Sequence, residues 1–286
     1  MIFHYERIVS MRIIADTSAL IPPAEGAEQG MTVIPICVSI GDKTYQDYTE
    51  ISCEEFLAQV RAGGVPTSSQ PAVGDVLDVM ESGDEEMLFL TVGDGLSGAY
   101  QTVMGARNLA ENPERIQVIN SKTLGGPLRY LAKKAVALKD QGLSMAQIVE
   151  ALEPCVESSM SFVIPEDFEF LKRSGRLTAI TAKIGGILKL LPVLTQSKDR
   201  TRISPVGIKR SWPSAVEMIL QRLAEHEVGA EHLISVCYAD TPEKGERILQ
   251  QVQARFPETE IELLQLSPAL MTHGGPGCIV IQAIRK

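Results

Sequence analysis

The chain has 286 residues, 44% of them hydrophobic, which is enough to form a sizeable core and argues against general disorder. Its 27 basic and 36 acidic residues give a formal charge of −9, so no overall positive field attracts nucleic acid. The five cysteines are odd in number and contain no C-x-x-C pair, which argues against a disulfide framework or a zinc site. We therefore expect neither a metal, a cofactor nor a nucleic-acid partner.

The N-terminal residues include charges but no apolar core of the kind found in export signals. The longest apolar stretch, residues 184–194, is too short to cross a bilayer and contains Lys189. These features predict a cytoplasmic protein without integral membrane association. Met11 directly precedes a strand-like run, so residues 1–10 are interpreted as a possible extension of the fold.

Short apolar runs alternate with segments of helical periodicity through the first half of the chain. Strands are predicted at 12–15, 32–39, 86–92 and 116–119, and helices at 53–61, 73–81, 97–111, 128–139 and 144–157. Such alternation is typical of a mainly parallel sheet covered by helices. It predicts an N-terminal α/β domain over residues 11–165.

The pattern changes after residue 164, where a basic helix and an apolar segment containing glycine come first. Strands are then predicted at 192–195, 201–209, 232–238, 260–265 and 278–284, and helices at 213–227 and 242–256. These elements indicate a second, sandwich-like α/β domain over residues 166–286. The predicted fold class is therefore α/β with two domains.

Three polar loops rich in glycine or proline follow predicted strands or helices, at 66–71, 93–98 and 272–277. In α/β sheets ligands bind at the carboxyl ends of strands, where such loops collect. The first loop offers consecutive hydroxyls, including Thr67 and Ser68, that can donate to a carboxylate or phosphate. An ordinary turn with a helix cap would explain the same residues.

Ser97 and Gly98 lie at the start of a predicted helix, where an anion would meet unpaired backbone N–H groups. A plain N-cap serine is the alternative. His273 and Gly274 lie in a glycine-rich loop, which favours contact with a ligand over a core position. Hydroxyls from Thr67 and Ser97, with His273 or an arginine, would compensate a buried carboxylate, while an acyl tail would bury favourably.

Two other functions are consistent with the same loops. Ser97, Asp240 and His273 follow the chain order of an α/β-hydrolase triad, and residues 95–99 differ from G-x-S-x-G at one position, Ala99. The loop that precedes Ser97 is long for the sharp turn of such an enzyme. A small phosphorylated metabolite at the Ser97 helix terminus is the third possibility.

Seven motifs in the same order resemble those of the DegV family of bacterial fatty-acid-binding proteins, over nearly the full length from Met11. They are IADTS at 14–18, PTSSQP at 66–71, GLSGAYQ at 95–101, FEFLKRSGRL at 168–177, GILKLLPVL at 186–194, PVG at 205–207 and THGGPG at 272–277. The resemblance implies two α/β domains, with a long-chain fatty acid buried in one and its carboxylate at the domain interface. It further implies a protein that is not itself an enzyme.

The resemblance also implies a partner, a separate ATP-dependent kinase that converts the presented fatty acid to an acyl phosphate. Thr67 and Ser97 would then hold the carboxylate, with His273 and Arg210 near the site of phosphoryl transfer. The basic residues expected to meet the kinase are Lys172, Arg173 and Arg176. A solvated helix face would explain these three charges equally simply.

Overall fold

A computed structural model describes residues 10–179 and 190–286 of the chain. The strands are β1 Met11–Asp16, β2 Met31–Ile34, β3 Cys37–Ile40, β4 Lys43–Gln46, β5 Pro66–Ser69, β6 Glu86–Thr91, β7 Ile116–Asn120, β8 Met160–Ile164, β9 Leu191–Gln196, β10 Ile203–Lys209, β11 His232–Tyr238, β12 Glu260–Gln265 and β13 Ile279–Arg285. The helices are α1 Pro23–Glu28, α2 Cys53–Arg61, α3 Val73–Glu81, α4 Ala99–Leu109, α5 Gly126–Asp140, α6 Met145–Ser158, α7 Phe168–Arg173, α8 Trp212–Glu225, α9 Pro242–Arg255 and α10 Pro268–Gly274.

The first sheet is parallel, with strand order β2-β1-β6-β7. Helices α5 and α6 pack on one face and α3 and α4 on the other, so both faces of the central strands are covered. The sequence of β6, Met87-Leu88-Phe89-Leu90, is accordingly apolar without alternation and buried throughout. The prediction of a parallel sheet flanked by helices is confirmed.

The sequence predicts a single strand over residues 32–39, but the structure divides it between two sheets. The first part, β2, joins the parallel sheet, and the second part, β3, joins a small antiparallel sheet of order β4-β3-β5. Pro35 lies at the division and has no backbone N–H to continue a ladder. The next amide, of Ile36, donates instead to Thr17 Oγ1 at 3.0 Å.

The second large sheet is mixed and has the order β10-β9-β8-β13-β11-β12. Its pairs are antiparallel except for β11 with β12, and α8 and α9 cover one face. The predicted boundary places β8 in the domain 11–165, whereas by pairing β8 belongs to this second sheet. The change from one sheet to the other therefore lies between α6 and β8.

The other face of the second sheet packs against the small sheet, α2 and α10. Residues 37–69 thereby contact strands that come more than a hundred residues later in the chain. None of the helices in the two described ranges combines the length and apolar character needed to span a bilayer. Most of the predicted extension 1–10 and part of the apolar stretch 184–194 lie outside the described residues.

Candidate ligand-binding site

A cavity lies between the second sheet, the small sheet and the carboxyl ends of β1 and β6. The space free of protein atoms is about 1120 Å³, counting the part that is open to solvent. Apolar side chains from several elements line its body, among them Ile36, Val92, Val163, Leu266, Leu270 and Val280. Such a space is suited to an apolar ligand with few polar groups.

Ser68 and His273 form a hydrogen-bonded pair at the wall of this cavity. The distance from Ser68 Oγ to His273 Nε2 is 2.8 Å, and both residues line the cavity. Ser68 lies on β5. His273 lies in the last turn of α10, whereas the sequence predicts a loop at this position. Ser267 starts this helix by accepting from the amide of Leu270 at 3.3 Å.

Thr67 lies on the other face of β5. Successive residues of a strand point to opposite sides, and Thr67 is exposed whereas Ser68 is half-buried. Thr67 is also absent from the cavity lining, which includes Ser68, Ser69 and Gln70. The structure therefore brings Ser68, and not Thr67, together with His273.

Ser97 lines the same cavity and directly precedes Gly98, the N-cap residue of α4. Its Oγ accepts from the amide of Ala99, the first residue of α4, at 3.2 Å. A Cβ atom at Gly98 would lie 3.0 Å from Gln70 Oε1, so the glycine lets the two hydroxyl-bearing loops approach each other. The alternative of a plain N-cap serine is therefore wrong, because Gly98 holds the N-cap position and Ser97 lines the cavity.

His273 is surrounded by protein and reaches solvent only in part. Burial, and secondarily the nearby Arg176 guanidinium, lowers the pKa of His273 to about 4. The ring is therefore neutral at pH 7 and forms its hydrogen bond with Ser68 as an uncharged partner. A Cβ atom at the next residue, Gly274, would lie 2.7 Å from Cys278 Sγ, which explains the glycine by packing.

Arg176 does not lie on an exposed basic face with Lys172 and Arg173. It lines the cavity, and its Nε donates to the Leu96 carbonyl at 3.2 Å. Burial, with a smaller effect of Arg202, lowers the pKa of Arg176. The sequence groups this arginine with its two neighbours because no periodicity distinguishes it from them.

Lys172 and Arg173 are exposed at the end of α7. Lys172 Nζ lies 3.4 Å from Glu169 Oε1, and the Arg173 guanidinium lies 4.6 Å from the centre of the Phe170 ring. Leu171 and Ser174, which flank the pair in sequence, both line the cavity. The two charges therefore border the cavity without entering it.

Arg210 is not among the residues that line the cavity. It is exposed and follows the last residue of β10, whereas Ile203, the first residue of β10, lines the cavity. The role of Arg210 near a site of phosphoryl transfer therefore stays a prediction.

The hydrolase triad considered from the sequence is not assembled. Asp240 Oδ1 accepts from the amide of Gly277 at 2.8 Å, and Asp240 Oδ2 accepts from Arg61 Nη2 at 2.8 Å. Asp240 thus anchors the chain after α10, while His273 is hydrogen-bonded to Ser68. Within the described residues, no group of three or more His, Cys, Asp or Glu side chains could hold a metal ion.

Comparison with known proteins places the chain in a family. The profile described as "Uncharacterised protein, DegV family" matches residues 10–286. The DegV domain-containing protein YteA of Lactococcus lactis is 27% identical in an alignment that covers 97% of this chain and 99% of the relative.

Solved structures resemble the chain over the same length. A DegV family protein of Thermus thermophilus, described by its fatty acid binding, is 26% identical with a TM-score of 0.87, covering 96% of this chain and 99% of that one. DegV of Bacillus subtilis, described as a fatty acid binding protein, is 24% identical with a TM-score of 0.84 and shares the fold over 97% and 100% of the two chains. The full-length family match and this common fold show that the chain belongs to the DegV family.

Proposed function

We propose that this protein binds a fatty acid, with the carboxylate at Ser68, Ser97 and His273 and the tail in the apolar body of the cavity. One observation carries the proposal: the 2.8 Å Ser68–His273 pair and the hydroxyl of Ser97 line a single cavity whose remaining wall is largely apolar. The Thermus thermophilus relative, described by its fatty acid binding, supports the same class of ligand.

The polar groups at this end of the cavity match the needs of a carboxylate. Two serine hydroxyls can donate to its oxygens, and the start of α4 and the Arg176 guanidinium provide positive potential. Without such partners, taking the carboxylate out of water would cost several kcal/mol. Each buried methylene of the tail contributes about 0.8 kcal/mol, so the tail supplies affinity and the head group supplies orientation.

Neighbouring residues of β5 provide a matched test. Ser68→Ala should weaken binding of dodecanoic acid to delipidated protein by about 1 to 3 kcal/mol, because the carboxylate loses a hydrogen bond in a buried site. Thr67→Ala, which removes a hydroxyl from the exposed face, should change affinity by less than about 0.5 kcal/mol. Isothermal titration calorimetry measures both. A larger loss for Thr67→Ala than for Ser68→Ala would contradict this assignment of the head-group site.

We further infer that the bound fatty acid is handed to a separate ATP-dependent kinase, which docks where Lys172 and Arg173 border the cavity. The family resemblance implies such a partner, and the exposure of both cations beside the residues that line the cavity supports this surface. The protein then acts as a carrier of the substrate, while the chemistry of phosphoryl transfer belongs to the kinase.

Charge reversal at two arginines tests this surface. Arg173 stacks on Phe170 and Arg255, on α9, stacks on Phe256, so Arg173→Glu and Arg255→Glu change the same kind of contact at different places. With limiting kinase from the same organism and ATP, Arg173→Glu should lower acyl phosphate formation on the order of tenfold, because a charge contact is reversed. Trapping with hydroxylamine measures the product. Equal rates for both variants would exclude this docking surface.

A further inference from the structure

Every backbone N–H of residues 275–278, the glycine-rich segment after His273, is donated to a partner within the protein, and Pro276 has none. The donors and acceptors, with distances of 2.8, 2.8 and 3.4 Å, are Gly275 to the Met271 carbonyl, Gly277 to Asp240 Oδ1, and Cys278 to the Gly275 carbonyl. The segment therefore does not act as an anion cradle of the kind that many glycine-rich loops form. Its hydrogen bonds instead fix its own position.

The backbone of Gly277 is held on both sides by residues at the start of α9. Asp240 Oδ1 accepts from the Gly277 amide, and Lys244 Nζ donates to the Gly277 carbonyl at 3.1 Å. Lys244 also pairs with Glu166 and lies 3.9 Å from the centre of the Trp212 ring. Asp240 and Lys244 together are called the Gly277 clamp.

Asp240 is the stronger half of the Gly277 clamp because it is charged. Burial alone would raise the pKa of Asp240, but the hydrogen bonds from Gly277 and Thr241 outweigh burial and lower the pKa. The Arg61 guanidinium lowers this pKa further. The carboxylate is therefore ionised at pH 7, and its hydrogen bond with the Gly277 amide is charge-assisted.

The Gly277 clamp holds the chain just beyond the helix turn that carries His273. Helix α10 has only seven residues, and Gly277 comes four residues after His273. Gly275 and Gly277 have φ values of 74° and 73°, which glycine adopts and leaves with little cost. A buried amide without its partner costs about 1 to 3 kcal/mol, so loss of Asp240 favours a shift of this segment. Such a shift would reach the last turn of α10, where the His273 ring meets Ser68.

We propose that Asp240, acting through the Gly277 amide, is a positioning residue that holds His273 against Ser68 for the acid head group. This proposal rests on the proposed fatty-acid function. In a hydrolase triad the aspartate would bond to the histidine itself, whereas here it bonds to the chain that follows the histidine. Lys244 supports the same peptide from the carbonyl side.

Three variants separate the hydrogen bond of Asp240 from its ion pair. Asp240→Ala removes both, Asp240→Asn keeps an oxygen that accepts from Gly277, and Arg61→Met removes the ion pair alone. In calorimetry with dodecanoic acid and delipidated protein, Asp240→Ala should lower affinity on the order of tenfold, because His273 is no longer held at the head group. Asp240→Asn and Arg61→Met should stay within about twofold of the native affinity, since the Arg61 side chain is 61% exposed and its charge is screened.

The pKa of His273 in the delipidated variants distinguishes positioning from a general loss of stability. In Asp240→Ala this pKa should rise from about 4 towards 6.5, because a ring that is no longer fixed becomes more hydrated. Asp240→Asn and Arg61→Met should keep the native value. NMR titration of the ring signals measures all of them. Lys244→Met removes the carbonyl half of the Gly277 clamp and should raise the same pKa by a smaller amount.

The outcomes separate the two proposals. A native protein that does not bind dodecanoic acid contradicts the fatty-acid function, while the pKa of His273 in the empty protein still tests the Gly277 clamp. Asp240→Ala with the native His273 pKa would overturn the role of Asp240, as would Asp240→Asn with the same defect as Asp240→Ala. If Asp240→Ala does not fold, an unchanged His273 pKa in Lys244→Met overturns it.

Discussion

The neutral His273 imidazole and the nearby Arg176 guanidinium would contribute to anion binding in different ways. Burial keeps the imidazole uncharged at pH 7, so its contribution to an empty site is a hydrogen bond to Ser68. Arg176 carries the charge and is fixed by the Leu96 carbonyl. A carboxylate placed between them would oppose both burial and the smaller like-charge effect of Arg176, which together keep the histidine neutral.

The pKa of His273 should therefore respond to the ligand. It should be about 4 in delipidated protein and rise when dodecanoic acid binds, because the nearby anion favours the imidazolium. Ring signals in NMR spectra recorded between pH 3.5 and 8 measure both values, and His273→Gln assigns the signal. An ordinary pKa near 6.5 in the empty protein, or no change with ligand, would contradict this account.

The sequence predicts which loop carries the hydroxyl groups of the head-group site, but it does not predict which of these hydroxyls faces the cavity. The three hydroxyls of loop 66–71 predict a head-group site, and the structure brings that loop to the cavity. Which hydroxyl faces inward depends on the phase of β5, and Pro66-Thr67-Ser68-Ser69 has no apolar alternation to fix that phase. The sequence does not predict the direction of the Arg176 side chain either, because this residue comes after a turn and does not lie in a helix.

Helix α10, which carries His273, is held in place from the other side by a buried carboxylate. Asp47 follows β4, is fully buried and accepts from the amide of Ala269 at 3.2 Å. Burial raises the pKa of Asp47 to about 6, although the hydroxyls of Thr17 and Ser267 and the Ala269 amide lower it in part. This single residue connects the small sheet, the end of β1 and the helix of the candidate site.

Asp47→Asn should change the free energy of unfolding in a pH-dependent way, because the Asn side chain does not titrate. Because the folded pKa is raised, the stabilising contribution of protonated Asp47 is complete below about pH 4 and is lost as pH rises to about 6. The variant should therefore gain stability relative to the native protein between pH 4.5 and pH 7.5, by roughly 2 kcal/mol. Urea denaturation at both pH values measures the two free energies of unfolding.

The free energy of unfolding of the variant has to be compared with that of the native protein, because the titration of His273 changes stability with pH in the opposite direction. Its folded pKa is lowered, so its contribution is complete above pH 6.5 and is lost as pH falls towards 4. The two effects overlap in one pH range and partly cancel in the native curve. A variant whose advantage is the same at both pH values would show that Asp47 does not carry a raised pKa.

Local signals predict most elements, whereas pairing between distant segments is not predictable. The apolar runs of β1, β6 and β7 indicate a buried parallel sheet, and that sheet is present. Helix α10 is predicted as a loop because its seven residues are too few for a clear helical period. Pro35 is a local sequence signal for the division between β2 and β3. No local signal predicts that β3 joins a different sheet.

At the scale of the whole molecule, the cavity exists because two sheets and a small third sheet meet there. The sequence predicts two α/β units, yet β8 precedes the predicted boundary and pairs with β13, which follows it by more than a hundred residues. Residue periodicity contains no information on such long-range partners. The hydrogen bonds that join Gln282 of β13 to Gly126 of α5 and Ser161 of β8 are for that reason not predictable from the sequence.

A crystal structure of the protein with dodecanoic acid tests the central claim most directly. The account predicts one acid in the cavity, with its carboxylate oxygens within about 3.2 Å of Ser68 Oγ and Ser97 Oγ and its tail along Val280. A carboxylate bound away from these two hydroxyls, or a cavity that stays empty at saturating ligand, would contradict it.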